Sequence, residues 1–353
     1  MAASSDEEGS DDGATTDNET LSFTVVTGGS AEADRGTAIL DAGKGAIVLG
    51  GVTEGELDPG KRAGGKDIFV ARYSAERTLD WVRQIGSEGD DVLTATARDD
   101  EDAIYLVGYT YGLLGEAAYG NADIVVAKYA GDGTLLWIRQ IGSSGEDVAF
   151  SCAMIGDAIY IGGSTDGKLV PGNLPRGEDG FILALDRDGD LLRSTLMGTD
   201  KTDRITAVFP GSANTLFAAG TTDGALHDNE SFGNTDGFLI NLDLSFTRRW
   251  TRQFGTTRAD IVLAGAAGAT DIALAGMTFG AFDDQINEGN YDALLLLFDL
   301  NGDRIYSRQH GSPQVSLGPA LRDLGIKQVL PGRRQTGRVN DCLTIWPTRV
   351  IEE

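Results

Sequence analysis

Short apolar runs of about seven residues recur along the chain, separated by turns rich in glycine and aspartate. The segment 91–142 contains four of them, at 91–97, 103–108, 123–129 and 135–141. β-Branched and aromatic residues dominate the runs, and no apolar repeat with the period of an α-helix competes with them. Short, evenly spaced runs of this kind predict an antiparallel β-sheet of four strands in this segment.

The same four-run pattern returns about every 56 residues. The glycine that closes each repeat lies at Gly29, Gly86, Gly142, Gly198, Gly255 and Gly311. The aspartate that opens each third run lies at Asp67, Asp123, Asp179, Asp236 and Asp292. A fixed period in this range is typical of solenoids, propellers and arrays. Four strands in each repeat favour the blade of a β-propeller.

The two ends of the chain decide the predicted number of blades. Five complete blades span 34–86, 91–142, 147–198, 203–255 and 260–311. Residues 21–29 align with a fourth strand, and residues 316–350 can supply a first, second and third strand. Joining them leaves no open sheet edge. The sequence therefore predicts one all-β domain over 21–353, a six-bladed β-propeller with four antiparallel strands per blade, whose last blade is closed by the N-terminal strand.

The strings DIVVAKY at 123–129, DGTLLWIRQIG at 132–142 and AIYIGGST at 158–165 point to a known family. They resemble the β-propeller repeat of prokaryotic secreted and surface proteins, often called the seven-bladed propeller repeat. The resemblance covers about residues 21–311 and implies an extracellular or cell-surface, non-catalytic module. The chain departs from the family in offering six blades, and in carrying Arg193 and Leu196 where other repeats have Trp and Gln.

The net charge of the chain argues against some classes of binding partner. The 54 acidic and 29 basic residues give a net charge of −25, which repels nucleic acid and anionic lipid. Surplus carboxylate with scarce lysine is typical of a halophilic protein. Residues 1–20 hold seven carboxylates and no basic residue, which predicts a disordered acidic tether. Three origins fit this tether: the remainder left by removal of a signal or lipoprotein anchor, an engineered start, or an ordinary acidic tail.

Aspartates that open the first strands offer a candidate calcium site at the mouth of the channel, because hard oxygen ligands suit this ion. The alternative is that each carboxylate accepts N–H bonds within its own turn. Ser316 fills the sixth position and weakens a ring of ligands. No other cofactor is expected. The candidate residues are Asp34, Asp91, Asp147, Asp203 and Asp260.

Other motifs have structural interpretations. The segments 186–190 and 299–303 imitate the start of a calcium loop, but Met197 and His310 stand where its glutamate would be, so both are predicted hairpin turns.

With only His227 and His310 in the chain, no catalytic residues are predicted. Repeated Trp and Arg on the fourth strands are predicted to pack between blades, with a carbohydrate-binding surface as the alternative. Cys152 and Cys342 are predicted to be free thiols.

We define the loop face as the loops between second and third strands at 111–122, 166–178, 223–235 and 279–291. They vary while their flanks repeat, which in repeat proteins marks the binding surface. The sequence therefore predicts a non-catalytic module that binds a protein or glycan there. A cation-dependent sugar or lactone hydrolase or lyase, and a structural subunit of a surface assembly, are the alternatives. The predicted partner-binding residues are Tyr111, Leu114, Tyr119, Phe232, Phe279, Phe282 and Tyr291.

Overall fold

A computed structural model of the protein describes residues 29–172, 175–212 and 214–311. These residues form twenty β-strands and one short 3-10 helix, Phe282–Asp284. The predicted tether at 1–20, the predicted strand at 21–28, the predicted last blade at 316–350 and Cys342 lie outside the described residues.

The strands form five four-stranded antiparallel sheets in chain order. The first sheet contains β1 (Asp34–Asp41), β2 (Ile47–Thr53), β3 (Asp67–Tyr73) and β4 (Leu79–Ile85). The second contains β5 (Asp91–Arg98), β6 (Ile104–Thr110), β7 (Asp123–Tyr129) and β8 (Leu135–Ile141). The third contains β9 (Asp147–Ile155), β10 (Ala158–Thr165), β11 (Asp179–Leu185) and β12 (Leu191–Met197). The fourth contains β13 (Asp203–Pro210), β14 (Thr215–Thr222), β15 (Asp236–Asp243) and β16 (Arg248–Phe254). The fifth contains β17 (Asp260–Ala267), β18 (Asp271–Thr278), β19 (Asp292–Asp299) and β20 (Arg304–His310).

Even the irregularities of the sheets repeat. The register between the first two strands shifts between Gly36 and Ala38 in the first sheet and between Leu93 and Ala95 in the second. The other three sheets shift near the same point. Each such shift is a β-bulge, which bends and twists the strand that carries it. The prediction of an all-β fold with four antiparallel strands in each repeat is confirmed.

Four apolar cores hold the five sheets together, and each core is built from two consecutive sheets. Val48 and Val70 of the first sheet pack with Leu93 and Ile104 of the second. Equivalent cores join the second sheet to the third, the third to the fourth and the fourth to the fifth. Consecutive sheets therefore pack face to face, as the blades of a β-propeller do.

The outward faces at the two ends of this array are less buried than the faces between sheets. Every residue of β1 is at least partly exposed, and Ile39 is 46% exposed, whereas most of β5 is buried. On β19, Ala293 is exposed and Leu295 and Leu297 are half-buried, whereas β7 is buried along its whole length. Within the described part of the chain, the first and fifth sheets thus each present a partly exposed apolar face.

Candidate functional site

A glutamine near the end of the fourth strand anchors the loop between the second and third strands in four of the five sheets. In the second sheet, Gln140 Nε2 donates to the Gly112 carbonyl at 2.9 Å and to Asp123 Oδ2 at 2.7 Å. Its Oε1 accepts the N–H groups of Leu114 and Gly115, both at 2.9 Å. The equivalent Gln84, Gln253 and Gln309 bind Asp67, Asp236 and Asp292. These loops are therefore fixed to the sheet by side-chain bonds at their base.

The third sheet lacks this anchor because Leu196 occupies the glutamine position. Its third-strand aspartate, Asp179, accepts the N–H of Arg176 at 3.3 Å. Burial raises the pKa of the Asp179 carboxyl, and the neighbouring Asp203 adds to the effect. The repeat therefore varies at the residue that fixes the loop.

The glycine that closes each repeat makes room for the third-strand aspartate. A Cβ atom on Gly142 would overlap Asp123 Oδ1. This oxygen is buried, has no hydrogen-bond partner among the described residues and occupies the space that a side chain on Gly142 would need. Gly86, Gly198, Gly255 and Gly311 meet their aspartates in the same way. This packing explains why glycine marks the period of the sequence.

The loop face exposes several of the predicted partner-binding side chains. Tyr111 is 51%, Tyr119 52% and Phe232 49% exposed. Leu114 is half-buried beside the Gln140 anchor. Tyr109 packs edge-on against Tyr111, with 5.8 Å between the ring centroids. Rings on the second and fourth sheets are therefore open to solvent on loops with a fixed base.

The loop of the fifth sheet differs from this prediction. Phe282 is only 1% exposed and packs in the core between the fourth and fifth sheets, with the Arg304 guanidinium 4.9 Å from its ring centroid. Phe282 is thus a core residue and not part of the exposed surface, and its N–H donates to Gln309 Oε1 at 2.9 Å. Phe279 and Tyr291 are half-buried against each other, with their ring centroids 5.7 Å apart.

Two aliphatic side chains of the loop face were not among the predicted binding residues. Ile286 is 80% exposed and Leu113 is 58% exposed. The residue type is not repeated at these positions, with Lys61 and Glu230 standing where Ile286 does in other sheets, so periodicity gave no signal for them. The loops of the fourth and fifth sheets also carry six carboxylates and no lysine or arginine, namely Asp223, Asp228, Glu230, Asp283, Asp284 and Glu288.

Each candidate metal-binding aspartate binds the turn that precedes it. Asp91 Oδ2 accepts the N–H of Ser87 at 2.6 Å. Asp147 Oδ2 accepts the N–H of Ser143 at 2.5 Å and its hydroxyl at 2.9 Å. Asp34, Asp203 and Asp260 accept the same pair of donors from Ser30, Thr199 and Thr256. The five carboxylates therefore lie in five separate turns.

These aspartates also lie near acidic neighbours. Burial raises the pKa of Asp91, Asp147 and Asp260, and the third-strand aspartate of the preceding sheet raises it further. Within residues 29–172, 175–212 and 214–311, no three His, Cys, Asp or Glu side chains are grouped closely enough to hold a metal ion. The geometry instead gives pairs of buried carboxylates at the sheet junctions.

The two segments that imitate calcium loops form hairpin turns. Asp186 Oδ1 accepts the N–H groups of Asp188 and Asp190, both at 2.9 Å, and Gly189 between them has a φ of +82°. Asp299 closes the turn of the fifth sheet in the same way, and Gly302 has a φ of +84°. A side chain that binds its own turn, with glycine in the left-handed region, is the geometry that these residue types favour.

A tryptophan and an arginine of the fourth strand, which together we call the clasp, donate hydrogen bonds to backbone carbonyls in the hairpin turn of the next sheet. Trp137 Nε1 donates to the Arg187 carbonyl at 3.0 Å, and Arg139 donates to the Asp188 carbonyl at 2.8 Å. The Arg139 guanidinium lies 5.5 Å from the Trp137 ring centroid. Trp81 with Arg83 and Trp250 with Arg252 make similar stacks. Arg193 of the third sheet bonds the Leu244 carbonyl instead. These residues connect neighbouring blades.

The two histidines and Cys152 are the remaining reactive groups of the described residues. His227 Nδ1 lies 3.0 Å from the Thr251 hydroxyl, and His310 is exposed on β20. Burial raises the pKa of the Cys152 thiol to about 12, so this cysteine is protonated at neutral pH.

A scan against models of protein families and a search of curated proteins both gave no match. Solved structures with a similar arrangement include the Pan2 WD40 domain of Neurospora crassa, at 14% identity and a TM-score of 0.48, covering 78% of this chain and 66% of that one. The haemagglutinin-neuraminidase ectodomain of parainfluenza virus 5 matches at 8% identity and a TM-score of 0.45, covering 83% and 75%. An apocarotenoid oxygenase mutant of Synechocystis matches at 12% and 0.41, covering 76% and 59%. With scores below 0.5, these neighbours say nothing about activity.

In the described ranges, no helix has the length and apolar character needed to cross a membrane.

Proposed function

We propose that this protein is a non-catalytic interaction module that acts outside the cytoplasm and binds a protein partner through its loop face. The observation that carries the proposal is the exposure of Tyr111, Phe232 and Ile286 on loops of that face. Aromatic side chains are enriched in protein interfaces and dominate their binding energy. Where a glutamine fixes the base of a loop, less conformational entropy is lost on binding.

The chemistry of the loop face favours a protein over a glycan. Sugar rings pack on flat aromatic faces, whereas Leu113 and Ile286 are aliphatic and more exposed than any of the aromatic residues there. The loops of the fourth and fifth sheets add six carboxylates with no basic residue. We therefore propose a partner whose contact surface is apolar at its centre and rich in lysine and arginine around it.

The proposed architecture is a six-bladed ring, with residues 21–29 and 316–350 forming the sixth blade. Two features of the described residues support it. The partly exposed apolar faces of the first and fifth sheets are of the kind that other blades cover. Tyr306 and Arg308 also stand at the clasp positions of β20 and are exposed, whereas Trp137 and Arg139 are half-buried.

Paired variants test the binding proposal. Phe232→Ser with Ile286→Ser removes two exposed loop residues, and Leu79→Ser with Ile305→Ser removes two residues of the outer strands that are 53% and 59% exposed. A partner captured from native extract at high salt is purified, and its affinity for both proteins is measured by titration calorimetry. The loop variant should bind at least about tenfold more weakly, which corresponds to about 1.4 kcal/mol, while the strand variant should match the wild type. Equal loss in both variants, or a captured glycan whose binding the loop variant loses, would contradict the proposal.

Truncation tests the sixth blade. Removing residues 312–353 should leave two apolar faces open, so dye binding to exposed apolar surface should rise and the melting temperature should fall. Removing residues 2–20 is the matched control and should change neither. If the protein that lacks residues 312–353 is as stable as the full chain, a segment other than this one closes the ring.

A further inference from the structure

A groove of about 620 Å³ lies between the first and second sheets, on the side of their outer strands. Its apolar surface comes from Ile85 of β4, Leu135 and Ile138 of β8, and Leu114 of the adjacent loop. This volume is within the range of pockets that hold small organic ligands. The groove is separate from the exposed rings of the loop face.

Tyr129 supplies a free hydroxyl to this groove. The residue lines the groove and is only 1% exposed, yet its hydroxyl has no hydrogen-bond partner among the described residues. Burial raises its pKa to about 12, while Arg83 lowers it and Asp58 raises it through their charges. The hydroxyl therefore stays protonated at neutral pH, close to groups of both signs. The hydroxyl is not among the fully buried unpartnered atoms of the described residues, so it meets solvent in the groove, where a ligand can donate to it or accept from it.

Two cationic side chains, those of Lys61 and Arg83, also line the groove. Arg83 donates to the carbonyls of Gly133 at 2.8 Å and Val82 at 2.7 Å, which do not neutralise its charge. Neither cation has a carboxylate within 4.0 Å among the described residues, whereas Lys66 pairs with Asp90 at 3.2 Å. In a chain of net charge −25, two such cations in one groove favour an anionic ligand.

Tyr129 and Lys61 of the groove are not required by the repeat, whereas Arg83 is the repeated arginine whose equivalents are Arg139 and Arg252. Leu185, Leu242 and Phe298 occupy the position of Tyr129 in the next three sheets and are buried. Six residues before the third-strand aspartate, Lys61 is replaced by Ala117, Glu230 or Ile286 in the other sheets whose residue there is described. Folding of the blade therefore tolerates other residues at these two positions, and among the described sheets Tyr129 and Lys61 meet Arg83 at one junction.

We propose that this groove binds a carboxylate-bearing sugar of the uronic acid class. Lys61 and Arg83 hold the carboxylate, and Tyr129 and Asp58 bond the sugar hydroxyls. Asp58 disfavours a compact dianion such as sulfate, because its own charge faces the same groove, while a hydroxyl can donate to it. The proposal does not depend on the function of the loop face.

The test uses galacturonate, galactose and acetate at equal ionic strength, with binding followed by titration calorimetry and by ¹H–¹⁵N chemical shifts. Galacturonate should bind in the millimolar range, with shifts around residues 57–61, 83–86 and 129–138, and at least about tenfold more tightly than galactose or acetate. The same titration with digalacturonate distinguishes two possible natural ligands. Tighter binding of digalacturonate than of galacturonate indicates a glycan chain, and equal affinity indicates a free sugar acid.

Variants locate the ligand. Tyr129→Phe should weaken galacturonate binding about tenfold and Lys61→Ala about fivefold, the latter with a smaller salt dependence. Tyr73→Phe is the matched control, because Tyr73 ends β3 as Tyr129 ends β7 and lies outside the groove. Acetate binding as tightly as galacturonate, or a Tyr129→Phe variant that stays folded with unchanged affinity, would overturn the proposal.

Discussion

Replacing Gln140 with leucine gives the second sheet the residue that the third sheet has at Leu196. The change removes two donated bonds, to Gly112 and Asp123, and two accepted bonds in the loop. The loop N–H groups are at half-buried residues and can bind water instead. The Asp123 carboxylate, at 2% exposure, cannot do so fully and keeps only the N–H of Tyr119 at 2.8 Å.

The expected cost is set by these losses. A buried polar group that loses its partner costs about 1–3 kcal/mol, and the Asp123 carboxylate and Gly112 carbonyl are both affected. Leucine recovers a part through apolar burial. We expect the free energy of unfolding to fall by about 2–4 kcal/mol, and hydrogen exchange of the N–H groups of Leu114 and Gly115 to speed up at least about tenfold.

Urea unfolding and exchange measured by mass spectrometry provide the assay. The reverse change, Leu196→Gln, is the matched control: it supplies Asp179 with a donor and should stabilise the protein by about 1 kcal/mol. If Gln140→Leu leaves both the free energy of unfolding and the exchange of the 111–122 loop unchanged, the glutamine is not an anchor.

Three further predictions concern packing and charge. Gly142→Ala should lower the free energy of unfolding by about 3 kcal/mol, because the new methyl overlaps Asp123 Oδ1, while Gly131→Ala, with its nearest atom at 3.3 Å, should cost far less; equal costs in denaturant melts would contradict this. Burial raises the pKa of Asp147, so its contribution to stability is complete below the unfolded pKa of about 3.9 and is lost as the pH rises through the folded pKa. The stability of the wild type minus that of Asp147→Asn should therefore decrease above about pH 4, and an increase would refute the assignment. Because the net charge is −25, raising KCl from 0.05 to 2 M (about fortyfold) should raise the melting temperature by several degrees, and a flat profile would show that self-repulsion is unimportant.

The sequence predicted the blade because strand period and turn chemistry are local. Asp186 with Gly189, for example, forms a turn from residues only three positions apart. The spacing of Gly142 from its neighbours likewise marked a repeat without any knowledge of what the glycine contacts. Its contact with Asp123, 19 positions earlier in the chain, required the structure.

The candidate site was less accessible to sequence reasoning. Phe282 and Phe232 both lie in acidic loops, yet one is in the core and the other is 49% exposed. Phe282 donates its N–H to Gln309, 27 residues further along the chain, whereas Phe232 donates its N–H to Asp236. Tyr129 is similarly a buried strand residue in the sequence pattern, and only the neighbouring blade gives its hydroxyl a groove.

The clasp between blades has a consequence for how this chain can evolve. Trp81 reaches Gly131 and Trp137 reaches Arg187, and each pair is 50 positions apart. Because the tryptophan donor and the carbonyl acceptor are 50 residues apart in both cases, duplicating or deleting a whole repeat restores the same hydrogen bond between sheets at the new boundary. An insertion of any other length within the strands breaks this hydrogen bond. We therefore expect this architecture to evolve by duplication or loss of complete repeats.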